Sequence, residues 1–204
     1  MSITNNIAKT VSVVFHPVII PLYTIFIIFN SGSLFSFIPD SIKNFSYLIV
    51  LVSTLLLPLS ILPLLKFQKL ISSYNLVDRK ERIIPIILSI IFYFMGFYLM
   101  TKIPMTNIIQ TFYKAMMIAI LGVAIVSLYW KISIHMTSMG GLFAVTTFMN
   151  IYYQSNSFSW IIIVLILAGI MGSSRLLLGR HRPSQVYIGF LWGFASVFSV
   201  LYFS

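Results

Sequence analysis

The chain has 204 residues, 59% of them hydrophobic and only 8% charged, a balance that excludes an ordinary soluble globular domain. Thirteen Lys and Arg against three acids (Asp40, Asp78 and Glu81) give a formal net charge of +10, so a carboxylate cage for Mg²⁺ or Ca²⁺ has almost no ligands. Cysteine is absent, which excludes disulfides and thiolate metal sites.

Seven apolar runs follow along the chain, at about 11–30, 45–65, 83–101, 107–129, 134–153, 158–174 and 186–203. Each approaches the ~20 residues that a helix needs to cross a bilayer. The first contains His16, Pro17 and Pro21 and is expected to kink or re-enter. Lys9 before it resembles the basic start of a secretory leader, but the run is long and no small-residue cleavage site follows, so it reads as a retained helix. An ionisable residue such as His16 inside an apolar run is a functional candidate by default. Beside Pro17, however, the preferred reading is a ring bonded to a freed backbone carbonyl. Lys114, inside the fourth run, is expected to snorkel or to line the bundle. The fold class is therefore all-α: one integral membrane domain over residues 1–204, with six to seven transmembrane helices.

If every run crosses, the loops at 66–82, 130–133 and 175–185 share one membrane side with the N-terminus. Lys9, Lys66, Lys69, Arg79, Lys80, Arg82, Lys131, Arg175, Arg180 and Arg182 gather there, leaving Lys43 and Lys102 opposite. The positive-inside rule accounts for basic loops. It does not account for His135 and His181 joining them. The cations are scattered singly between apolar runs, which argues against a nucleic-acid partner and leaves membrane lipids and a phosphorylated substrate.

Two stretches carry chemistry. In "WKISIHMTSMGG", residues 130–141, Lys131, Ser133 and His135 alternate at the mouth of a helix, where free N–H groups and the dipole favour an anion. Gly140 and Gly141 allow a neighbouring helix to come close. In "SSRLLLGRHRPSQ", residues 173–185, Gly179 and Pro183 break what would otherwise be one continuous helix. Pro183 suits the first turn of the next one. His181 then sits at a helix N-terminus, and Gln185, four residues on, reaches back to it or to a free N–H. Arginine forks such as Arg175 match phosphate oxygens.

"SRLLLGRH" followed by "PSQVYIGFLWG" resembles the third motif of the type-2 phosphatidic acid phosphatase superfamily: Ser-Arg, five residues, His, three residues, Asp, then a glycine-bearing apolar helix. Ser174, Arg175, His181 and position 185 match this spacing, and Gly189 and Gly193 suit the helix. "ISIH" resembles the second motif, Pro-Ser-Gly-His, keeping Ser133 and His135 but holding Ile132 and Ile134 in place of Pro and Gly. The resemblance covers about residues 79–200, which makes that stretch the phosphatase-like core. It implies that His181 attacks phosphorus to form a phosphohistidine, that His135 protonates the leaving oxygen and later activates water, and that Arg175, Lys131 and Ser133 stabilise the phosphoryl charge. No metal or other cofactor is implied.

Two departures stand out. The aspartate that would orient the nucleophilic histidine is Gln185, which stabilises an imidazolium less well. The first motif, Lys, six residues, Arg-Pro, is absent in that form. "DRKERIIP", residues 78–85, offers Arg79, Lys80 and Arg82 as replacement cations, with Pro85 displaced, and Asp78 or Glu81 as a replacement acid. The expectation is a metal-independent membrane lipid phosphatase acting on a phospholipid or a polyprenyl (di)phosphate. It would sit in a bacterial inner (cytoplasmic) membrane with its site on the extracytoplasmic face. The alternative is a catalytically impaired protein that binds or transports phospholipid head groups.

Overall fold

The structure is a computed structural model in which residues 3–74, 80–153 and 158–204 are described. Those residues form helices and no strands. The helices are α1 (Ile3–Val14), α2 (Ile20–Asn30), α3 (Asp40–Val50), α4 (Leu57–Phe67), α5 (Ile83–Met100), α6 (Asn107–Tyr129), α7 (Ile134–Tyr152), α8 (Phe158–Leu177) and α9 (Pro183–Phe203).

The first apolar run is broken. α1 ends at Val14 and α2 begins at Ile20, because Pro17 has no N–H and disfavours helix at His16 before it. α3 and α4 are halves of one 28-residue rod, Asp40–Phe67, joined by a π-helical stretch from Leu51 to Leu56. Pro58 offers no N–H to the carbonyl of Thr54, and the ladder slips register just before it.

Among the described residues, five helices are long and apolar enough to cross a membrane: the rod, the segment Lys80–Met100, α6, α8 and α9. The chain is thus a multi-pass helical membrane protein. The six-to-seven count exceeds these five for two physical reasons. The first run yields only the short α2, of 11 residues. α7 carries His135, Thr137, Ser138, two glycines, two further threonines and Asn150, and is less apolar than the lengths around it. It is nevertheless the most enclosed helix, with Met136, Met139, Ala144, Val145 and Met149 buried and with α2, α6, α8 and α9 packed around it. Its neighbours, not lipid, receive its side chains.

The contact of α7 with α9 is the most extensive in the molecule, and glycines make it possible. A Cβ on Gly193 would collide with the carbonyl oxygen of Thr137, and one on Gly140 with that of Phe190. At Gly189 a Cβ would come within 2.8 Å of the Ser133 carbonyl oxygen. Backbone rests on backbone at these crossings, as small residues permit in lipid. Both helices begin at the same end of the bundle, and that end holds the polar residues.

Candidate active site

Five chain segments meet at this end around one cavity of about 540 Å³, a size suited to a small ligand or head group. Its titratable lining is Lys9, His16, Arg82, Lys131, His135, Arg175, Arg180 and His181, with Tyr74 and Tyr93. Among the described residues no carboxylate lines it. The loops at 66–82, 130–133 and 175–185 all send residues to it.

Each side chain has a local cause. α8 ends as Gly179 takes a left-handed conformation, φ +61°, which glycine adopts without a Cβ penalty. Its N–H donates to the Leu176 carbonyl at 2.9 Å. The chain turns, and Pro183 opens α9 at its first position. His181 falls in that turn, buried at 8% exposure. The Gln185 Oε1 accepts the Arg182 backbone N–H at 3.1 Å and lies 3.2 Å from His181 Nδ1. The first bond fixes the amide with its oxygen toward the ring, so His181 Nδ1–H is the donor and Nε2 keeps its lone pair. Burial first, then the Arg175 guanidinium, hold the His181 pKa down at about 4, with Arg82 and Lys131 adding to the effect and the Gln185 bond opposing it. At neutral pH the ring is uncharged.

His135 opens α7. Its Nε2 lies 3.2 Å from the Ser12 carbonyl oxygen, which can only accept. Nε2 therefore carries the proton and Nδ1 is left to exchange one. Ser133 is fully buried and caps α7, its Oγ accepting the Met136 N–H at 3.4 Å. Its own N–H donates to the Gln185 carbonyl at 3.3 Å, which ties the two histidine-bearing turns together. Ser133 and Gln185 are not among the cavity's lining residues; both stand one layer behind it. Ile132, in the proline position of the second motif, is buried with Ile86, Val123 and Ala124 and anchors the entry to α7.

Arg175 donates from Nη1 to Ser12 Oγ at 3.4 Å, and its Nε is buried with no partner among the described residues. Arg82, 8% exposed, reaches the cavity from the short turn Lys80–Arg82 ahead of α5. Lys131 lines it from the α6–α7 link. Arg79 and Asp78 lie outside the described residues. Glu81 accepts from Ser72 at 3.0 Å and is not among the lining residues, so it does not take the place of the missing aspartate. Lys114 is exposed on the outer face of α6, with its Nζ 5.8 Å from the centre of the Phe97 ring. No group of three or more His, Asp or Glu among the described residues has the geometry of a metal site.

Sequence reasoning missed α1. Lys9 and Ser12 form one wall, and a motif search had no reason to pair residue 12 with residues 135 and 175. His16 carried a signal, an ionisable side chain in an apolar run, but the preferred reading gave it a backbone carbonyl. Its Nδ1 is buried with no partner among the described residues, and its ring lines the cavity.

Fold and site together define a multi-pass helical membrane protein with a cationic, two-motif histidine pocket at one end. The family model of the PAP2 superfamily matches residues 129–204, the stretch that holds both histidine motifs. Over that stretch the chain is similar to the type-2 phosphatidic acid phosphatase superfamily. No curated protein and no solved structure matches the chain.

Proposed function

We propose that the protein is a membrane lipid phosphatase. It removes a terminal phosphate from a phospholipid or a polyprenyl (di)phosphate through a phosphohistidine on His181, without a metal. The observation that carries this reading is the pair of oriented histidines, His181 backed by Gln185 and His135 backed by Ser12, in a cavity lined by cations.

In the first step His181 Nε2 attacks phosphorus. The N–P bond forms as the P–O bond to the lipid breaks, and a protonated His135 gives its Nδ1 proton to the departing oxygen. In the second, His135 takes a proton from water, the resulting hydroxide attacks phosphorus, and the N–P bond breaks to release inorganic phosphate. Arg175, Lys131 and Arg82, with Arg79, neutralise the phosphoryl oxygens. Ser133 serves through its cap, holding the first turn of α7. A phosphate dianion offsets the mutual repulsion of the cavity's cations and favours the protonated His135 that the first step needs.

An apolar crevice supports a lipid substrate. It is lined by Ile20, Phe112, Met116 and Leu142, among others, and it shares Pro17, Tyr93, Ile120 and Ile134 with the cationic cavity. A head group would sit in the cavity while its hydrocarbon chain remains among apolar side chains. This reading places the site on the extracytoplasmic face of a cytoplasmic membrane, with a catalytic core over about residues 79–200.

The test is phosphate release in detergent micelles with EDTA present, offering phosphatidic acid, phosphatidylglycerol phosphate and a polyprenyl diphosphate. Release by the wild type that disappears in His181→Ala is the expected outcome. Gln185 favours a second reading, a head-group binding or transport protein. Binding without release from any of the three lipids, in the wild type and in Gln185→Asp alike, would decide for it.

A further inference from the structure

The site contains a third histidine from outside the matched segment. His16 sits in the turn between α1 and α2, closed by its own N–H donating to the Val13 carbonyl at 3.2 Å and its carbonyl accepting from Ile19 at 2.8 Å. The turn is braced from the rod: Thr54 Oγ1, in the π-helical stretch, lies 3.3 Å from the Val18 carbonyl oxygen. Thus two local irregularities, a broken helix and a π segment, hold one side chain in place. Irregularities of this kind recur at functional sites.

The His16 ring lines the cavity and meets His135 edge to face, with centroids 5.2 Å apart and planes at 82°. Ser12, one turn earlier in the chain, holds His135 through its carbonyl and Arg175 through its hydroxyl. A histidine that merely repaired the backbone at Pro17 would have its nitrogens satisfied. Instead Nδ1 is shut off from the cavity with no partner among the described residues, so Nε2 is the ring nitrogen that can meet a ligand there.

We propose that His16 is a ligand-contacting residue of this site, donating a hydrogen bond to the phosphoryl oxygens of a bound phosphate monoester or of inorganic phosphate. It rests on the phosphate-site reading above for its ligand and not on hydrolysis. The pocket is then built by both halves of the chain: His135 and His181 from the matched segment, His16 from the break ahead of α2.

The chain has three histidines in all, and all three line the cavity, so the experiment is spectroscopically simple. Protein labelled with ¹⁵N-histidine, in micelles, is titrated with inorganic phosphate, and the His16 signal is identified by its loss in His16→Gln. The expected result is a phosphate-dependent shift of the His16 signal, with phosphate binding weakened about tenfold in His16→Ala and partly restored in His16→Gln, whose amide can donate. A second arm measures kcat/KM on phosphatidic acid, where the same order of variants is expected. Phosphate binding with no lipid hydrolysis would sink the phosphatase reading and leave this one standing. An unmoved His16 signal, or binding in His16→Ala within twofold of wild type, would overturn it. If His16→Ala does not fold, the wild-type titration decides alone.

Discussion

Gln185 governs the state of His181 through one oxygen. That oxygen accepts from both the Arg182 N–H and the His181 ring, so it selects the tautomer but brings no charge. In the proposed reaction, a carboxylate there would stabilise the imidazolium formed as His181 bonds to phosphorus. Gln185→Asp is expected to raise kcat, and Gln185→Ala to lower it by about tenfold or more as the ring loses its orienting partner. The sign of the pH effect is fixed as well. A nearby carboxylate favours protonated His181, so the acid limb of kcat/KM, expected near the wild-type pKa of about 4, should move to higher pH in Gln185→Asp. Rates measured from pH 3.5 to 8 check both points. This pair was legible in the sequence because histidine and glutamine stand four residues apart beside a proline that starts a helix. Ser133 was legible as a residue but not as a role. Its hydroxyl is engaged in capping, and only the folded turn shows that its N–H reaches the Gln185 carbonyl.

The helices that carry the two histidine turns are positioned by the α7–α9 contact. Its glycines were readable as close-approach residues, but which ones met was not, since that depends on the rotation of two helices about their axes. A methyl group at Gly193 meets the Thr137 backbone, which cannot rotate away as a side chain can, so the helices must separate. Overpacking of this kind costs on the order of 1–3 kcal/mol. Gly193→Ala is expected to lower the thermal midpoint in detergent by several degrees. It should reduce phosphate release further than the loss of folded protein explains, because the separation also pulls His135 from His181. Gly169 is the control: a Cβ there meets nothing within 4 Å, and Gly169→Ala should match wild type in both assays. The break at His16–Pro17 was likewise foreseen as a kink. Its consequence, that α1 folds back to hold His135 and Arg175, rests on contacts between residues more than a hundred positions apart, and no local pattern encodes them.

At the scale of the whole molecule, charge sorts by end. The cavity end gathers the cations of three loops, whereas the other end carries Lys43, which pairs with Asp40 at 3.6 Å, and Lys102 over the Tyr98 ring. The positive-inside rule would put the cavity in the cytoplasm, but under the proposed function these cations serve a phosphate and do not report orientation. With no native cysteine, the chain can be read directly by labelling. Exposed Ser184 at the cavity end and exposed Ser41 at the other can each be replaced by cysteine in intact cells. Labelling of Ser184→Cys but not Ser41→Cys by an impermeant maleimide is expected for an extracytoplasmic site; the reverse pattern would place it in the cytoplasm.

The enclosure of α7 also constrains how the protein is made. A helix with so many hydroxyl, amide and glycine positions gains little by entering lipid alone, and the helix that covers it most, α9, leaves the ribosome after it. Until α9 arrives, α7 has polar groups and bare backbone facing acyl chains. The final third of the chain must therefore settle as a unit, with α8 waiting beside α7 for its partner. The site, two of whose histidines sit at the starts of α7 and α9, is assembled only once α9 has inserted, so a chain cut short before α9 holds no complete pocket.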